Sequence, residues 1–193
     1  MARMQRRPWL HGLALGMLLA CLPAGMPAAR AQRPFVVWSP TFRHGVAPAQ
    51  RYDGAGCGGR NVSPRIEWSG LPPRTRSLAL AWFDRDARSG AGWWHWAVLD
   101  IPAVAQGLAA GAGAADGSGL PPGARQLRNS FGTMGYGGPC PPPGSGPHRY
   151  QLTVWALAVR RLVLPPGAGP AQLAARASAL AIGTARLQVA YGR

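Results

Sequence analysis

The chain has 193 residues, and its 21 arginines, with no lysine, face six acidic residues, which gives a net charge of +15 at neutral pH. No apolar run approaches the roughly 20 residues that a membrane-spanning helix requires, which argues against a transmembrane protein. The arginines are scattered and match no nucleic-acid-binding motif, which argues against nucleic-acid binding. The positive charge still favours anionic ligands by long-range attraction.

The N-terminal segment has the three parts of an export signal. Three arginines fall within the first seven residues, an apolar run extends from Leu13 to Leu22, and Ala29-Arg30-Ala31 has the small-x-small form that signal peptidase reads. The pattern predicts a signal peptide over residues 1–31, a mature chain that starts at Gln32, and a periplasmic or secreted protein.

Two further export signals overlap this segment. Leu18-Leu19-Ala20-Cys21 resembles the sequence that precedes a lipidated cysteine, and Arg6-Arg7 resembles a twin-arginine signal. The later small-x-small site favours simple cleavage over lipidation of Cys21. Residues 32–193 then form one domain of 162 residues, with 17 arginines and all six acidic residues.

Alternating apolar and polar residues predict several half-buried β-strands. In chain order the candidates are Phe35–Trp38, Arg65–Trp68, Ser77–Phe83, Trp96–Ile101, Tyr150–Leu157 and Ala185–Tyr191. The stretches 107–123 and 132–147 are rich in glycine and proline, and they cannot form regular helix or central strand.

One segment has the pattern of a helix. Pro170–Ile182 begins with proline, places Leu173, Ala177 and Leu180 on one side, and is followed by a glycine. Seven tryptophans in the predicted domain offer the buried area of a folded core. Short strands with one late helix predict a mainly β fold, an antiparallel β-sandwich with a peripheral helix.

The predicted mature chain contains two cysteines, Cys57 and Cys140, so only one intrachain pairing is possible. An oxidising compartment favours a disulfide over two unpaired buried thiols. A bridge across this separation would stabilise the fold by about 4 to 5 kcal/mol in the chain-entropy model.

Three polar clusters lie at predicted strand ends or in the rigid loops. They are Asp84-Arg85-Asp86, Trp93-Trp94-His95-Trp96, and the segment from Gly138-Pro139-Cys140 through a proline-rich run to His148-Arg149-Tyr150. Singly, each has a structural explanation, since Asp-x-Asp forms turns and a histidine among tryptophans packs in cores. Loops that converge at one end of a sandwich also form concave sites.

In their order along the chain, these clusters and their neighbours resemble the phosphatidylethanolamine-binding (Raf kinase inhibitor-like) family, in its bacterial YbhB/YbcL-like branch. The matching motifs are Ser39-Pro40-x-Phe42, Cys57 to Pro64 with Trp68-Ser69-Gly70, Asp84-x-Asp86-Ala87, Trp94-His95-Trp96 with Ile101-Pro102, Gly135 to Pro142, and Gly146 to Tyr150. The likeness runs from about Phe35 to Arg193.

The resemblance implies an antiparallel β fold with a small, partly open pocket for phosphate or a phosphorylated head group, and no cofactor. By motif, the pocket would be lined by Asp84, His95, Gly138, His148 and Tyr150, with Asp86 and Trp93 close by. The imidazole nitrogens and the Tyr150 hydroxyl would donate to anionic oxygens, and the glycine would let backbone N–H groups approach. The favoured function is therefore binding, not catalysis.

A protein partner with a phosphorylated or acidic segment would use the same pocket. The kinase of the family name is not carried over, because an exported protein would not meet a cytoplasmic kinase.

A carboxylate beside a bound phosphate needs an explanation, because like charges repel. We expect Asp84 to hydrogen-bond a histidine and favour its protonated form, or to share a proton with the ligand. Anion affinity would then fall as the pH rises through the histidine range.

The chain departs from the family at the acidic turn, which usually reads Asp-Pro-Asp-Ala-Pro. Arg85 and Arg88 stand in place of the two prolines, so the backbone is less constrained there. Two arginines beside the pocket would strengthen anion capture through planar, bidentate donation.

Two other functions remain open from the sequence. Asp84, Asp86, His95 and His148 contain enough oxygen and nitrogen ligands for a divalent metal, as a metal-assisted hydrolase would need. No paired metal motif and no Gly-x-Ser-x-Gly motif support this alternative. A secreted protease inhibitor would instead use a surface loop such as Gly111–Gly123.

Overall fold

The structure, a computed structural model, describes Met1 and residues 33–193, and this part of the chain is rich in β-strand. Its elements are β1 (Val36–Trp38), β2 (Ile66–Ser69), β3 (Ser77–Asp84), β4 (Trp93–Pro102), β5 (Gly107–Leu108), β6 (Arg125–Gln126), β7 (His148–Leu157), α1 (Pro170–Leu180) and β8 (Ala181–Tyr191). Apart from Met1, the predicted signal peptide, with Cys21, lies outside the described residues. Within the described part, no helix has the length and apolar character needed to cross a membrane.

The strands form two antiparallel sheets. The small sheet has the order β1-β2-β5, and the large sheet has the order β6-β4-β3-β7-β8. The antiparallel sandwich predicted from the sequence is confirmed.

The observed strands extend the predicted ones at the ends that matter for the site. β4 begins at Trp93, three residues before the predicted start, and β7 begins at His148. β8 follows α1 directly, so that the helix ends at Leu180. β5 and β6 were not predicted, because a two-residue strand is too short to show alternation.

Successive side chains of β3 belong to two separate buried clusters, because both faces of the large sheet are covered. Ala79 and Ala81 face α1 and its neighbours. The cluster between the sheets includes, from β2 and β3, Ile66, Trp68, Leu78, Leu80 and Trp82. A central strand that is buried on both faces holds its end residue, Asp84, firmly in place.

The helix α1 covers the outer face of the large sheet. Leu173 and Ala177 are fully buried and pack in one cluster with Trp155 and Leu157 of β7. These two residues lie on the side of the helix that the sequence predicted to be apolar. Loops cover the end of the large sheet that lies away from this packing.

Cys57 and Cys140 form the predicted disulfide, which is thereby confirmed. It joins the loop before β2 to the long irregular loop before β7, across a sequence separation of 83 residues. The second of these loops also reaches the end of the large sheet at which β3 stops.

Candidate functional site

The register of the large sheet brings the polar clusters together at one end. Asp84, the last residue of β3, is paired with Trp93 at the start of β4 and with Tyr150 in β7. Antiparallel neighbours run in opposite directions, so the end of β3 lies beside the beginnings of β4 and β7. His148 precedes Tyr150 by two residues and therefore points to the same face of β7.

A cavity of about 770 Å³ opens at this end of the sheet. Five of the seven predicted site residues line it, namely Asp84, Asp86, Trp93, His95 and His148. The remaining wall includes Arg88, Phe131, Cys140, Pro141, Pro142 and Ser145. The other two predicted site residues, Gly138 and Tyr150, do not line the cavity and lie behind its wall.

Asp84 is a buried carboxylate with all its contacts inside the protein. Its Oδ2 accepts a hydrogen bond of 2.7 Å from Nδ1 of His148. Its Oδ1 accepts from the backbone N–H groups of Asp86 (2.9 Å) and Ala87 (3.1 Å). One oxygen therefore orients a histidine while the other closes the turn after β3.

His148 is held at both ring nitrogens. Its Nδ1 must carry a proton because the Asp84 carboxylate only accepts, and its Nε2 lies 3.1 Å from Oγ of Ser145. The Ser145 hydroxyl also donates to the Pro142 carbonyl at 2.8 Å. This contact fixes the imidazole at the mouth of the cavity.

Sequence reasoning missed Ser145. The residue lies between Gly144 and Gly146, whose φ angles of 75° and 78° fall in the left-handed region that favours glycine. A serine flanked by two glycines and followed at i+3 by a histidine is the available signal, but it lies within the glycine- and proline-rich stretch 132–147, whose composition hides it.

Asp86 is already neutralised by a neighbouring arginine. The backbone N–H of Arg149 donates to Oδ2 at 2.7 Å, and its Nη2 donates to Oδ1 at 2.5 Å. These hydrogen bonds from Arg149 hold the pKa of the Asp86 carboxyl well below its usual range. Asp86 therefore lines the cavity as one half of an ion pair.

His95 is a buried, neutral imidazole. Its Nδ1 donates to the Gly137 carbonyl at 2.7 Å, and burial lowers the pKa of His95 from 6.5 to about 4. At neutral pH the second nitrogen, Nε2, can thus only accept. This differs from the expectation that both histidines donate to an anion, because removal from water disfavours the charged ring.

Tyr150 lies beneath the wall, between the two histidines. Its ring centre is 5.3 Å from that of His95 and 6.4 Å from that of His148. The hydroxyl is buried and has no hydrogen-bond partner among the described residues. Burial, and then the negative charge of Asp84, raise the pKa of Tyr150 well above its usual range, so the hydroxyl stays a donor.

Gly138 supports the site from behind. Its N–H donates to Oδ1 of Asn61 at 2.8 Å, and a Cβ at this position would overlap the backbone of Gln50 and Arg51. The residue is glycine because two loops meet there. Its N–H is therefore engaged within the protein, whereas the resemblance implies that backbone N–H groups at this position approach a ligand.

A comparison of the sequence with protein-family models identifies the family of this chain. A family model described as phosphatidylethanolamine-binding protein matches residues 38–192. The chain belongs to the phosphatidylethanolamine-binding protein family.

Relatives of this chain include two bacterial proteins. The chain is 44% identical to the UPF0098 protein YbcL of Escherichia coli K12 over 140 residues, which cover 72% of this chain and 76% of the relative. It is 38% identical to the "Putative lipoprotein LppC" of Mycobacterium tuberculosis H37Rv over 159 residues, or 82% and 73% of the two chains.

Solved structures of the family match the fold. The crystal structure of E. coli YbcL superposes with a TM-score of 0.79 at 40% identity, covering 83% of this chain and 99% of that one. CT736 from Chlamydia trachomatis, described as a homologue of the family, gives a TM-score of 0.64 at 30% identity, with coverages of 83% and 98%.

The two arginines of the acidic turn, Arg85 and Arg88, lie in different places. Arg88 lines the cavity, with its guanidinium carbon 4.2 Å from the centre of the Trp93 ring. Arg85 is exposed and donates from Nη1 to Oε1 of Gln151 at 3.2 Å. The expectation that both flank the pocket holds for Arg88 and is wrong for Arg85, because Arg85 directly follows Asp84 and points away.

The proline-rich rim of the cavity is tied down at two points. The disulfide joins Cys140 to Cys57, and Arg193 bridges the same two loops. Its Nε donates to the Pro141 carbonyl at 2.7 Å and its Nη1 to the Gly56 carbonyl at 3.0 Å. This part of the wall is therefore formed before any ligand arrives.

The four residues considered for a metal site have other partners. Asp84 bonds His148, Asp86 bonds Arg149, and His95 donates to a carbonyl. Across the described part of the chain, no group of three or more histidine, cysteine, aspartate or glutamate side chains is placed to hold a metal ion.

Proposed function

We propose that this family member is an exported protein that binds a small anion, phosphate or a phosphorylated head group, in the cavity at the end of the large sheet. The observation that carries the proposal is the Asp84–His148 pair, which fixes an imidazole in the wall beside Arg88. Imidazolium and guanidinium groups give charge-assisted hydrogen bonds to anionic oxygens.

The two carboxylates of the wall do not oppose this function. Asp84 is bonded to His148 and to two backbone N–H groups, and Asp86 is paired with Arg149. Each negative charge is therefore compensated within the protein. An anionic oxygen at the mouth of the cavity would take the place of Ser145 Oγ, which lies 3.1 Å from Nε2 of His148.

Export is supported by three observations of different kinds. The N-terminal residues have the pattern of a signal peptide, the described part contains a disulfide, and one relative carries the name of a lipoprotein. A protein partner with a phosphorylated or acidic segment would present the same chemistry to the cavity.

The contacts of His148 with Ser145 and with Asp84 have the arrangement of the catalytic triad of a serine hydrolase. The Ser145 hydroxyl, however, has one proton and donates it to the Pro142 carbonyl. We infer that Ser145 orients the imidazole and does not attack a substrate.

The protease-inhibitor alternative gains no support from the loop on which it relied. Ala112 is 1% exposed and packs in the cluster between the sheets, and the Gly113 N–H donates to Oγ of Ser63 at 2.8 Å. The loop Gly111–Gly123 is thus anchored to the core at its beginning.

Titration calorimetry of the purified protein with inorganic phosphate tests the proposal. We expect binding at mildly acidic pH, and we expect His148→Gln to weaken it about tenfold or more, because a hydrogen bond to a charged group is lost. His44→Gln, at an exposed histidine outside the cavity wall, is the matched control and should bind as the parent protein does.

Absence of phosphate binding by the parent protein, or equal affinity of the His148 variant, would overturn the proposal. Native mass spectrometry of the freshly purified protein adds the identity of any anion that copurifies.

A further inference from the structure

Arg88 differs from the other charged residues of the cavity wall. Its guanidinium stacks over the face of Trp93 at 4.2 Å. The ion pairs of the wall are Asp84–His148 and Asp86–Arg149, and no ion pair found in the described part of the chain includes Arg88. Its N–H donors are therefore available to a ligand, while its flat face is used for packing.

The turn between β3 and β4 determines where Arg88 stands. Arg88 and Ser89 have φ angles of 50° and 55°, in the left-handed region, and the Gly92 N–H closes the turn on the Ala87 carbonyl at 2.9 Å. Proline is restricted to φ near −65° and cannot adopt this conformation. A proline at position 88 would therefore be incompatible with this turn, whereas arginine fits it and adds a cation to the wall.

A zwitterionic head group needs a place for its ammonium as well as for its phosphate. Aromatic faces and free carboxylates are the groups that bind ammonium ions. In this cavity the face of Trp93 is covered by Arg88, and the carboxylates of Asp84 and Asp86 are engaged by His148 and Arg149. Phe131, the second aromatic ring of the wall, stacks on Tyr52 with the ring centres 4.2 Å apart. The wall therefore places a cation beside Arg88 and offers it no carboxylate that is without a partner among the described residues.

A guanidinium group keeps its positive charge through the pH range in which imidazoles titrate. His95 is neutral at neutral pH, because burial lowers its pKa to about 4. Above the histidine range, Arg88 remains as a cation of the wall that lacks an acidic partner among the described residues.

We propose that Arg88 makes the cavity select a terminal phosphate group, as in inorganic phosphate or a phosphomonoester, over a zwitterionic phosphodiester. This inference rests on the proposed anion-binding function and specifies its ligand class. A terminal phosphate carries up to two negative charges and three free oxygens, which match the planar donors of Arg88. A phosphodiester with an ammonium carries one negative charge and brings a cation toward Arg88.

The phosphomonoester has two sources that share this chemistry, a soluble metabolite or the head group of phosphatidic acid in a membrane. Soluble glycerol 3-phosphate represents the first. Phosphatidylcholine vesicles with and without phosphatidic acid represent the second, with cosedimentation as the readout. Binding only to the soluble ester assigns the free form, and binding to the phosphatidic acid vesicles assigns the lipid form.

The test compares glycerol 3-phosphate with glycerophosphoethanolamine by titration calorimetry at pH 7.5. We expect the parent protein to prefer the monoester by about tenfold or more, the effect of one charged hydrogen bond. Arg88→Gln should bring this ratio close to one, and its remaining phosphate affinity should fall more steeply with rising pH.

Arg85→Gln is the matched control, because Arg85 is the neighbouring arginine that points away from the cavity. It should keep the preference of the parent protein. Arg88→Lys tests whether the planar guanidinium group matters. This variant should keep the parent protein's dependence of phosphate affinity on pH and lose part of its preference for the monoester.

The two proposals fail in different ways. If the parent protein binds neither ester nor phosphate, the anion-binding function itself is wrong. If it binds both esters equally, or if Arg88→Gln keeps the tenfold ratio, the function stands and the role of Arg88 is overturned.

Discussion

Asp84 performs two tasks that the sequence presented as alternatives. One oxygen accepts from the backbone of the turn, as an aspartate after a strand commonly does, and the other orients His148. Turn chemistry and site chemistry are thus combined in a single side chain. The imidazole is held in place by the protein itself, so the proposed binding would require little ordering.

His95 makes stability depend on pH with a definite sign. Its pKa is lowered from 6.5 to about 4 in the folded protein, so the unfolded chain binds more protons between these values. The free energy of unfolding therefore rises with pH through this window and falls again on acidification. The change across the whole window is on the order of 3 kcal/mol.

Urea unfolding of the parent protein and of His95→Gln between pH 4 and pH 8 measures this contribution. We expect the variant to show a shallower loss of stability below about pH 6.5, because it lacks the buried ring that takes up a proton on unfolding. The exposed His44→Gln should behave as the parent does. The same slope for the His95 variant would show that the ring is not held neutral by burial.

At the scale of elements, the site depends on the close contact of the loop that carries Gly138 with the segment around Gln50. The Gly138 Cα approaches the backbone of Gln50 and Arg51 so closely that a methyl group would overlap both. The loop can only make room by shifting, and the cavity wall at Pro141 would shift with it.

We expect Gly138→Ala to lower the free energy of unfolding by about 1 to 3 kcal/mol, as overpacking does, and to weaken phosphate binding. Thermal unfolding and calorimetry check both effects. Gly169→Ala is the control, because a Cβ there would meet only Oε1 of Gln172 at 3.5 Å and should cost less than about 1 kcal/mol. Equal stability of the two variants would contradict the packing role of Gly138.

Much of the fold could be predicted because each face of the sandwich follows a simple periodicity. Ser77–Asp84 alternates between two buried layers, and Leu173 and Ala177 recur at helical spacing. The strands Gly107–Leu108 and Arg125–Gln126 could not be predicted, since their pairing is imposed by neighbours and not by their own residues.

The site was predictable to the extent that motif order identifies strand ends. Asp84, His95 and His148 do meet at one cavity. The different positions of the Arg85 and Arg88 side chains could not be predicted from the sequence, because they depend on the positive φ angles of the turn. The protonation of His95 likewise depends on its burial, which composition does not reveal.

At the scale of the whole molecule, one disulfide connects the loop before β2 to the rim of the cavity. Its partners are 83 residues apart, so the bridge greatly restricts the unfolded chain. It also limits the freedom of Cys140, which is part of the wall. Stability and ligand affinity should therefore respond together to reduction.

We expect full reduction to lower the free energy of unfolding by about 4 to 5 kcal/mol in the chain-entropy model and to weaken phosphate binding. Thermal unfolding and calorimetry with and without reductant measure both. The double variant Cys57→Ser and Cys140→Ser is the control, and reductant should leave it unchanged. If the reduced parent protein keeps its stability, the bridge is not a main restraint.

The register of β3 and β7 has a practical consequence for handling the protein. Asp84 faces Tyr150 only when these strands are paired as observed, and a slip of one residue would turn His148 to the opposite face. The proposed anion binding would therefore report correct strand pairing. A refolded preparation can be assayed for native assembly by the rise in its melting temperature on adding phosphate, without any antibody or reporter group.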